Sequence, residues 1–305
     1  MDTPLYRSAM FVPGNRPDLM EKAVHYKPDA VVLDLEDSVP NAEKPRARVL
    51  VREAIGALSR QGMPVFVRAS GPHTGLTSED IEAAVTPGLT MVVVTKLEHP
   101  EQVHKVDAWI EHFEKKAGMA PGSVGISISP ETALGVFNIF SLLTASPRVV
   151  NLLAGLTART GDIVSDVGYK WTREGLETRY MESHLLMAAR AAGIRFPMCG
   201  GGIEVRKPEL VREQFECARQ TGFRGTFLIH PSQIPMANEI FGLTEQEVAW
   251  NKGVIEAMAE AIAKGSAAAT YDGMLIDYAH LRAAQVLLAQ ARSFGMDVGT
   301  YPEVG

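Results

Sequence analysis

Asp34, Glu36 and Asp37 stand directly after the apolar run Ala30-Val31-Val32-Leu33. Carboxylates at the end of a buried strand repel one another and are costly to desolvate, so a cation belongs beside them: a metal, an Arg or a Lys. The plainer alternative is an exposed acidic strand end that caps the next helix. The same arrangement recurs along the chain. Arg16, Arg68, Lys96, Glu131, Asp162 and His230 also follow apolar runs. Glu131 and Asp162 come after consecutive runs, so their side chains can meet. Two carboxylates without His or Cys suit a hard cation, Mg²⁺ or Mn²⁺, which keeps waters and takes substrate oxygens. Read structurally, Glu131 is a first-turn helix charge and Asp162 a helix cap. Asp34, Glu36 and Asp37 then serve the waters of the metal, or pair with Lys96 and Arg68. Arg68 cannot deprotonate, and so suits a carboxylate or a developing oxyanion. Lys96 is either a Schiff-base amine or a charged partner of Glu36, Asp37 or Glu98; the ion pair is the favoured reading. His230 is either a base or part of a structural His-Pro turn.

These residues need elements to hold them. Candidate strands, mostly apolar, fall at 8–12, 30–33, 64–67, 90–94, 124–128, 149–154, 194–198 and 226–229. Continuous apolar runs are what strands of a parallel sheet look like when both faces are covered. Helical spacing separates them, as at Val103, Val106, Ile110 and Phe113. Eight strands alternating with helices over about 235 residues is the size and pattern of a (β/α)₈ TIM barrel, whose strand ends converge on one mouth. A doubly wound sheet is the alternative, but no Gly-x-Gly-x-x-Gly follows the first strand. The expected division is a barrel over 1–240 and a C-terminal helical arm or lid over 241–305. In the arm, Thr244 and Glu247 form a capping box, and a small-residue linker at 265–269 follows. Tyr271 to Asp277 reads as a turn with a short extended piece. A last helix carries Leu281, Leu287, Leu288 and Ala291.

Composition narrows the class. The chain has 305 residues, 46% hydrophobic and 22% charged, as in an ordinary soluble globular protein. A formal charge of −6 without a Lys/Arg run argues against a nucleic-acid surface. Cys199 and Cys217 make neither a disulfide framework nor a zinc spacing, and read as small buried hydrophobes. No basic region leads into an apolar core at the N-terminus, and no apolar run is long enough to span a bilayer. The expectation is a cytoplasmic protein with no membrane partner.

The motifs together resemble one family. They are Phe11-Val12-Pro13-Gly14-Asn15-Arg16-Pro17, Leu33-Asp34-Leu35-Glu36-Asp37-Ser38-Val39, Val67-Arg68, Thr95-Lys96-Leu97-Glu98, Glu131-Thr132-Ala133, Gly161-Asp162 through Asp166-Val167-Gly168, Ile229-His230-Pro231-Ser232-Gln233-Ile234 and Asp272-Gly273-Met274-Leu275-Ile276-Asp277. In this order they resemble the malyl-CoA/citramalyl-CoA lyases and citrate lyase β-subunits, over nearly the whole chain. The resemblance implies a barrel with a C-terminal lid, Mg²⁺ on Glu131 and Asp162, and Arg68 near a thioester oxygen. It makes Asp277 the acid/base group. It implies a carbon–carbon lyase acting between an acyl-CoA and a 2-oxo acid, in a homotrimer or hexamer whose lid reaches a neighbour. Arg16, Ser70 and His230 become candidate contacts to substrate or CoA.

The chain departs from the family pattern at three places. Ala69-Ser70 stands where an Asn two residues after the Arg is common. Cys199-Gly200-Gly201-Gly202-Ile203-Glu204 replaces an Asp-Gly-Val-Tyr-like run. Tyr278-Ala279 follows Asp277 where a Pro is common. Three other readings stand beside the first: a citrate lyase β-subunit working on a carrier-borne acyl group, a metal-dependent pyruvate aldolase without CoA, and a non-catalytic interaction module.

Overall fold

A computed structural model describes residues 5–155, 161–202 and 204–304. The chain divides into two compact units, residues 1–241 and 242–305.

The first unit is a closed eight-stranded parallel barrel with flanking helices, a (β/α)₈ TIM barrel. Its strands are β1 (Ser8–Pro13), β2 (Ala30–Asp34), β3 (Val65–Ala69), β4 (Leu89–Thr95), β5 (Gly125–Ser129), β6 (Val149–Ala154), β7 (Met198–Gly200) and β8 (Gly225–Leu228). Closure comes from β8 pairing with β1, Ser8 opposite Thr226. The helices are α1 (Pro17–Ala23), α2 (Lys44–Ser59), α3 (Thr77–Ala84), α4 (Pro100–Lys116), α5 (Ala133–Phe137), α6 (Ile139–Thr144), α7 (Asp162–Val167), α8 (Arg179–Ala191), α9 (Pro208–Thr221) and α10 (Ile234–Ile240). Proline opens α1, α4 and α9, where its missing N–H costs nothing.

The strands are buried on both faces, which is why they read as largely apolar runs, with Ser8, Ser127 and Asn151 as buried polar exceptions. Ala9, Val32, Phe66, Met91, Leu153 and Phe227 belong to one cluster. Val31, Leu33, Val65, Val67, Val92 and Val94 belong to a second, with the helix residues Val51, Ile55, Val106 and Ile110. Alternate residues of one strand thus face opposite sides. At the start of β6, Arg148 Nη2 lies 2.7 Å from Glu114 Oε2, and Arg148 Nε 2.6 Å from Asp107 Oδ1. Removing one partner of such a buried pair costs about 3–5 kcal/mol. Gly14 is required by close approach: its N–H donates to Asp34 O at 2.8 Å, and a Cβ there would lie 2.5 Å from that oxygen.

One strand is displaced from its expected place. The run 194–198 predicts the seventh strand, but the strand is Met198–Gly200. Ile194 N–H instead closes the end of α8 on Ala189 O. Pro197 has no N–H to give a ladder.

The second unit packs α11 (Glu245–Ala263) and α12 (Tyr278–Ser293) with an antiparallel hairpin of β9 (Ala268–Tyr271) and β10 (Met274–Asp277). Val254, Ile255, Met258, Ile276, Leu281 and Leu288 form its core. Thr244 and Glu247 make the capping box that opens α11. Among the described residues, no helix is long and apolar enough to cross a membrane.

Candidate active site

Asp34 ends β2 and lies opposite Arg68 on β3 in the strand register. Its carboxylate is 1% exposed. Arg68 grips it with two parallel bonds, Nε to Oδ1 and Nη2 to Oδ2, both 2.7 Å. Glu36 N–H and Ser38 N–H also donate to Asp34, at 2.9 and 3.1 Å. Burial works against this carboxylate, but the Arg68 charge and hydrogen bonds outweigh it and hold the group below the usual range. Arg68 is likewise held above its ordinary value: burial opposes its charge, and Asp34 and then Glu36 more than offset that. The guanidinium lies over the Phe11 ring, 4.8 Å from its centroid. With Nε and Nη2 spent on Asp34, Nη1 remains, 3.5 Å from Asp37 Oδ2.

Lys96 stands just past β4. Its Nζ is 2.7 Å from Asp162 Oδ2, 3.2 Å from Glu36 Oε1 and 3.8 Å from Glu131 Oε2. Burial disfavours the ammonium, but the Asp162 hydrogen bond, Glu36 and Glu131 overcome that and raise its pKa. This is a charged lysine. A Schiff-base amine needs the opposite shift. Its backbone is left-handed, φ 55°, which costs a residue with a Cβ about 1–2 kcal/mol. Such strain persists where its surroundings fix it: Lys96 N–H donates to Ser129 O on the next strand, at 3.1 Å.

Glu36, 5% exposed, accepts at Oε1 from Thr95 Oγ1 (2.5 Å) and Gly71 N–H (3.3 Å) as well as Lys96. Its Oε2 is buried without a hydrogen bond, with Arg68 Nε at 3.5 Å. Glu131 follows β5 and accepts from Ser129 Oγ at 3.0 Å. Burial, then the Glu36 charge, pushes its carboxyl up to about 7, against 4.5 for an ordinary glutamate. Asp162 is the first residue of α7. Asp166, one turn on, accepts from Ala133 N–H at 2.6 Å and so ties α7 to the start of α5 beside Glu131.

Asp37, Glu131 and Asp162 can each place one oxygen so that all three lie within 4.8 Å of one another. A group of carboxylate oxygens alone fits a hard divalent cation and not a soft one. Lys96, Glu131 and Asp162 also border a cavity of about 910 Å³ whose walls include His73, Lys105 and Trp109. That is the size of a site for an extended organic ligand.

The structure therefore brings Asp34, Glu36, Asp37, Arg68, Lys96, Glu131 and Asp162 into one network. Arg16 is exposed and pairs with Asp18 at 2.9 Å. His230 caps a short turn, its Nδ1 accepting from Ser232 N–H at 3.2 Å. Ser70 is fully buried, and its groups are engaged inside the protein: N–H to Asp80 at 2.8 Å, the carbonyl accepting from Thr77 at 2.8 Å, Oγ accepting from Lys44 at 3.1 Å. Cys199 is buried, and burial pushes its thiol up to about 12, so it is no nucleophile. Ile203 lies outside the described residues. In the second unit, Asp277 caps α12 through Oδ1, which accepts from Ala279 N–H (2.9 Å) and His280 N–H (3.4 Å) and lies 2.9 Å from His280 Nδ1. The His280 hydrogen bond first, then these N–H groups, hold it below the usual carboxylate range. Sequence reasoning missed Lys44 and gave Thr95 and Asp166 no role of their own. A lysine on the first turn of a helix, against the helix dipole, was the signal for Lys44.

Comparison with known proteins agrees with this geometry. Residues 7–231 match the model of the HpcH/HpaI aldolase/citrate lyase family. The chain is 33% identical over 301 residues to the citrate lyase subunit beta of Leuconostoc mesenteroides subsp. cremoris, covering 98% of each protein. It is 30% identical over 305 residues to the L-malyl-CoA/beta-methylmalyl-CoA lyase of Cereibacter sphaeroides, covering 93% of this chain and 94% of that one. Its fold is similar to that of CitE from Mycobacterium tuberculosis, solved with magnesium, acetoacetate and coenzyme A, at a TM-score of 0.72, 26% identity and 95% coverage of this chain. The chain belongs to the HpcH/HpaI aldolase/citrate lyase family, and is a carbon–carbon lyase.

Proposed function

We propose that this family member cleaves, or in reverse forms, a 3-hydroxyacyl-CoA such as malyl-CoA or citramalyl-CoA, giving acetyl-CoA and a 2-oxo acid. One observation carries the reading: the oxygens of Asp37, Glu131 and Asp162 gather in the same network as a buried arginine whose Nε and Nη2 are held by Asp34 and whose Nη1 faces Asp37 at 3.5 Å. The names of the relatives support it, because one is a malyl-CoA lyase and a solved neighbour holds magnesium and coenzyme A.

Glu131 and Asp162 are the proposed holders of Mg²⁺, with Asp37 beside them. Bound there, the ion would supply Lewis acidity and a template for the oxygens of the 2-oxo acid. The remaining work falls to the chain. In cleavage the bond between the hydroxyl-bearing carbon and the carbon next to the thioester breaks. Its electron pair moves into the thioester as an enolate, and the hydroxyl proton passes to solvent, from which the exposed Asp277 draws the proton it delivers next. Arg68, held rigid by Asp34, offers Nη1 to the enolate oxygen. Asp277 then protonates the enolate carbon, or takes that proton when the reaction runs toward condensation. Lys96 balances the carboxylates around it. The proposed assembly is a homotrimer or hexamer in which Asp277 serves a neighbour's barrel.

Turnover of a panel of malyl-, methylmalyl- and citramalyl-CoA, with and without chelator, tests this. Metal-dependent release of acetyl-CoA or propionyl-CoA is expected. Cleavage of the free hydroxy acids but none of the thioesters would point to a CoA-independent aldolase. A second reading is supported by the Leuconostoc relative being a subunit: the acyl group then rides on a partner protein, and a carrier-linked substrate outruns its CoA counterpart.

A further inference from the structure

Lys44 breaks three rules at once. It is 5% exposed, although burying an ammonium is costly. It stands on the first turn of α2, where the helix dipole disfavours a cation. Among the described residues its ammonium is paired with no carboxylate. What it has instead is an acceptor for each of its three protons. Nζ donates to Leu35 O, to Glu36 O at 3.1 Å and to Ser70 Oγ at 3.1 Å. The two carbonyls belong to the turn that carries Asp34, Glu36 and Asp37, and Ser70 is the residue just after β3, two on from Arg68. Leu35 N–H donates to Arg68 O at 2.9 Å, so the same turn is tied to β3 from its other side. Lys44 also borders a cavity of about 320 Å³ shared with Glu36, Asp37, Ser70 and Lys96.

We propose that Lys44 is a positioning residue, a tethered internal cation that fixes the peptide planes at Leu35 and Glu36 and thereby aims Glu36 and Asp37 at the site, with Ser70 as its third acceptor. Ammonium is suited to this because three fixed oxygens around one point match its three donors. A neutral aliphatic side chain would leave buried carbonyls unpaired, and the turn would move to rehydrate them. Ser70 Oγ is thus engaged by Lys44. Its Oγ is short enough to stand between Nζ and Leu35 O, to which it donates at 3.3 Å.

The kinetic arm of the test rests on the lyase reading; the binding and exchange arms do not. The variants are Lys44→Met, Lys44→Gln and Ser70→Ala, each compared with the native protein. Calorimetry with MgCl₂ alone should show Lys44→Met binding roughly ten- to a hundredfold more weakly, the range for losing a group that supports ligands from outside. Lys44→Gln, which keeps two donors, should recover part of this, and Ser70→Ala should move the same way by less. Amides of 34–39 should exchange with deuterium faster in Lys44→Met than in the native protein, with the other strand ends unchanged. On a substrate, kcat should fall while KM stays within about threefold. If Lys44→Met is folded, binds Mg²⁺ as well as the native protein and protects 34–39 equally, the proposal is overturned, whatever the melting temperature. If Lys44→Met does not fold, Lys44→Gln and Ser70→Ala decide by the same criteria. If the native protein binds no Mg²⁺ the metal reading fails, and exchange at 34–39 alone judges Lys44.

Discussion

At the scale of single residues, Arg68 is a fork with two prongs already committed. Nε and Nη2 hold Asp34, and this fixes where Nη1 points. Arg68→Ala is expected to lower kcat roughly a hundred- to a thousandfold, as for one oxyanion donor, with a smaller change in KM. Arg68→Lys restores charge without the fork, keeps at most one of the two bonds to Asp34, and should rescue little. A change confined to KM would reassign Arg68 to holding the substrate before reaction. Glu131 makes a prediction in pH. Its folded pKa of about 7 stands above the 4.5 of a free glutamate, so the folded protein keeps this proton longer than the unfolded chain. Metal-free stability should therefore fall as pH rises from the lower value to the higher, and level off beyond it. Mg²⁺ held by Glu131, as proposed, would need the carboxylate, so its affinity should move the other way, rising by up to about tenfold per pH unit and flattening above neutrality. Titration calorimetry in two buffers of different ionisation heat would register the released proton at pH 6. An affinity that ignores pH between 5 and 8 would remove Glu131 from the ligands.

Among elements, the site depends on loops that hold two strand ends in step. Asp166 is the clearest case. It reaches from α7 to Ala133 N–H, and so sets Asp162 against Glu131. Asp166→Ala should weaken Mg²⁺ by about tenfold without unfolding the barrel, and Asp166→Asn, which keeps an acceptor, should weaken it less. Equal affinities in all three proteins would show that α7 is placed by packing alone. This level is also where the sequence was least legible. The barrel could be read from it, because strands covered on both faces leave largely apolar runs and the charged residues fall just past their ends. The acids and cations of the mouth could be read for the same reason. Partner choice could not. Asp34 and Glu36 differ by two positions, yet Asp34 grips Arg68, which lies opposite it in the strand register, while Glu36, past the strand end, bonds Lys96. The seventh strand was misplaced because Ile194 and Phe196 are as apolar as any strand residue, while the constraint lay in Pro197 and in the closure of α8. Lys44 went unseen because its partners are backbone oxygens, which leave no trace in residue type.

For the whole molecule, the proposed acid role of Asp277 divides into two cases, its own barrel or a neighbour's. Within its own unit it does a structural job, capping α12 through Oδ1. Asparagine caps helices about as well as aspartate, so Asp277→Asn separates that job from proton transfer. The variant should melt within a few degrees of the native protein and bind Mg²⁺ normally, yet lose most turnover. Undiminished turnover would leave Asp277 as a cap alone. If instead turnover is lost, mixing decides the assembly. Asp277→Asn protein and Arg68→Ala protein are each deficient, for different reasons. When their subunits exchange in a trimer or hexamer whose acid comes from the neighbour, some sites combine an intact Arg68 from one chain with an intact Asp277 from the other. Part of the activity should then return, in a proportion set by the mixing ratio and greatest near equal amounts. Exchange itself must be shown separately, for instance by energy transfer between labelled subunits. With exchange demonstrated and no activity recovered, each barrel uses its own Asp277, and the neighbour-supplied acid is excluded.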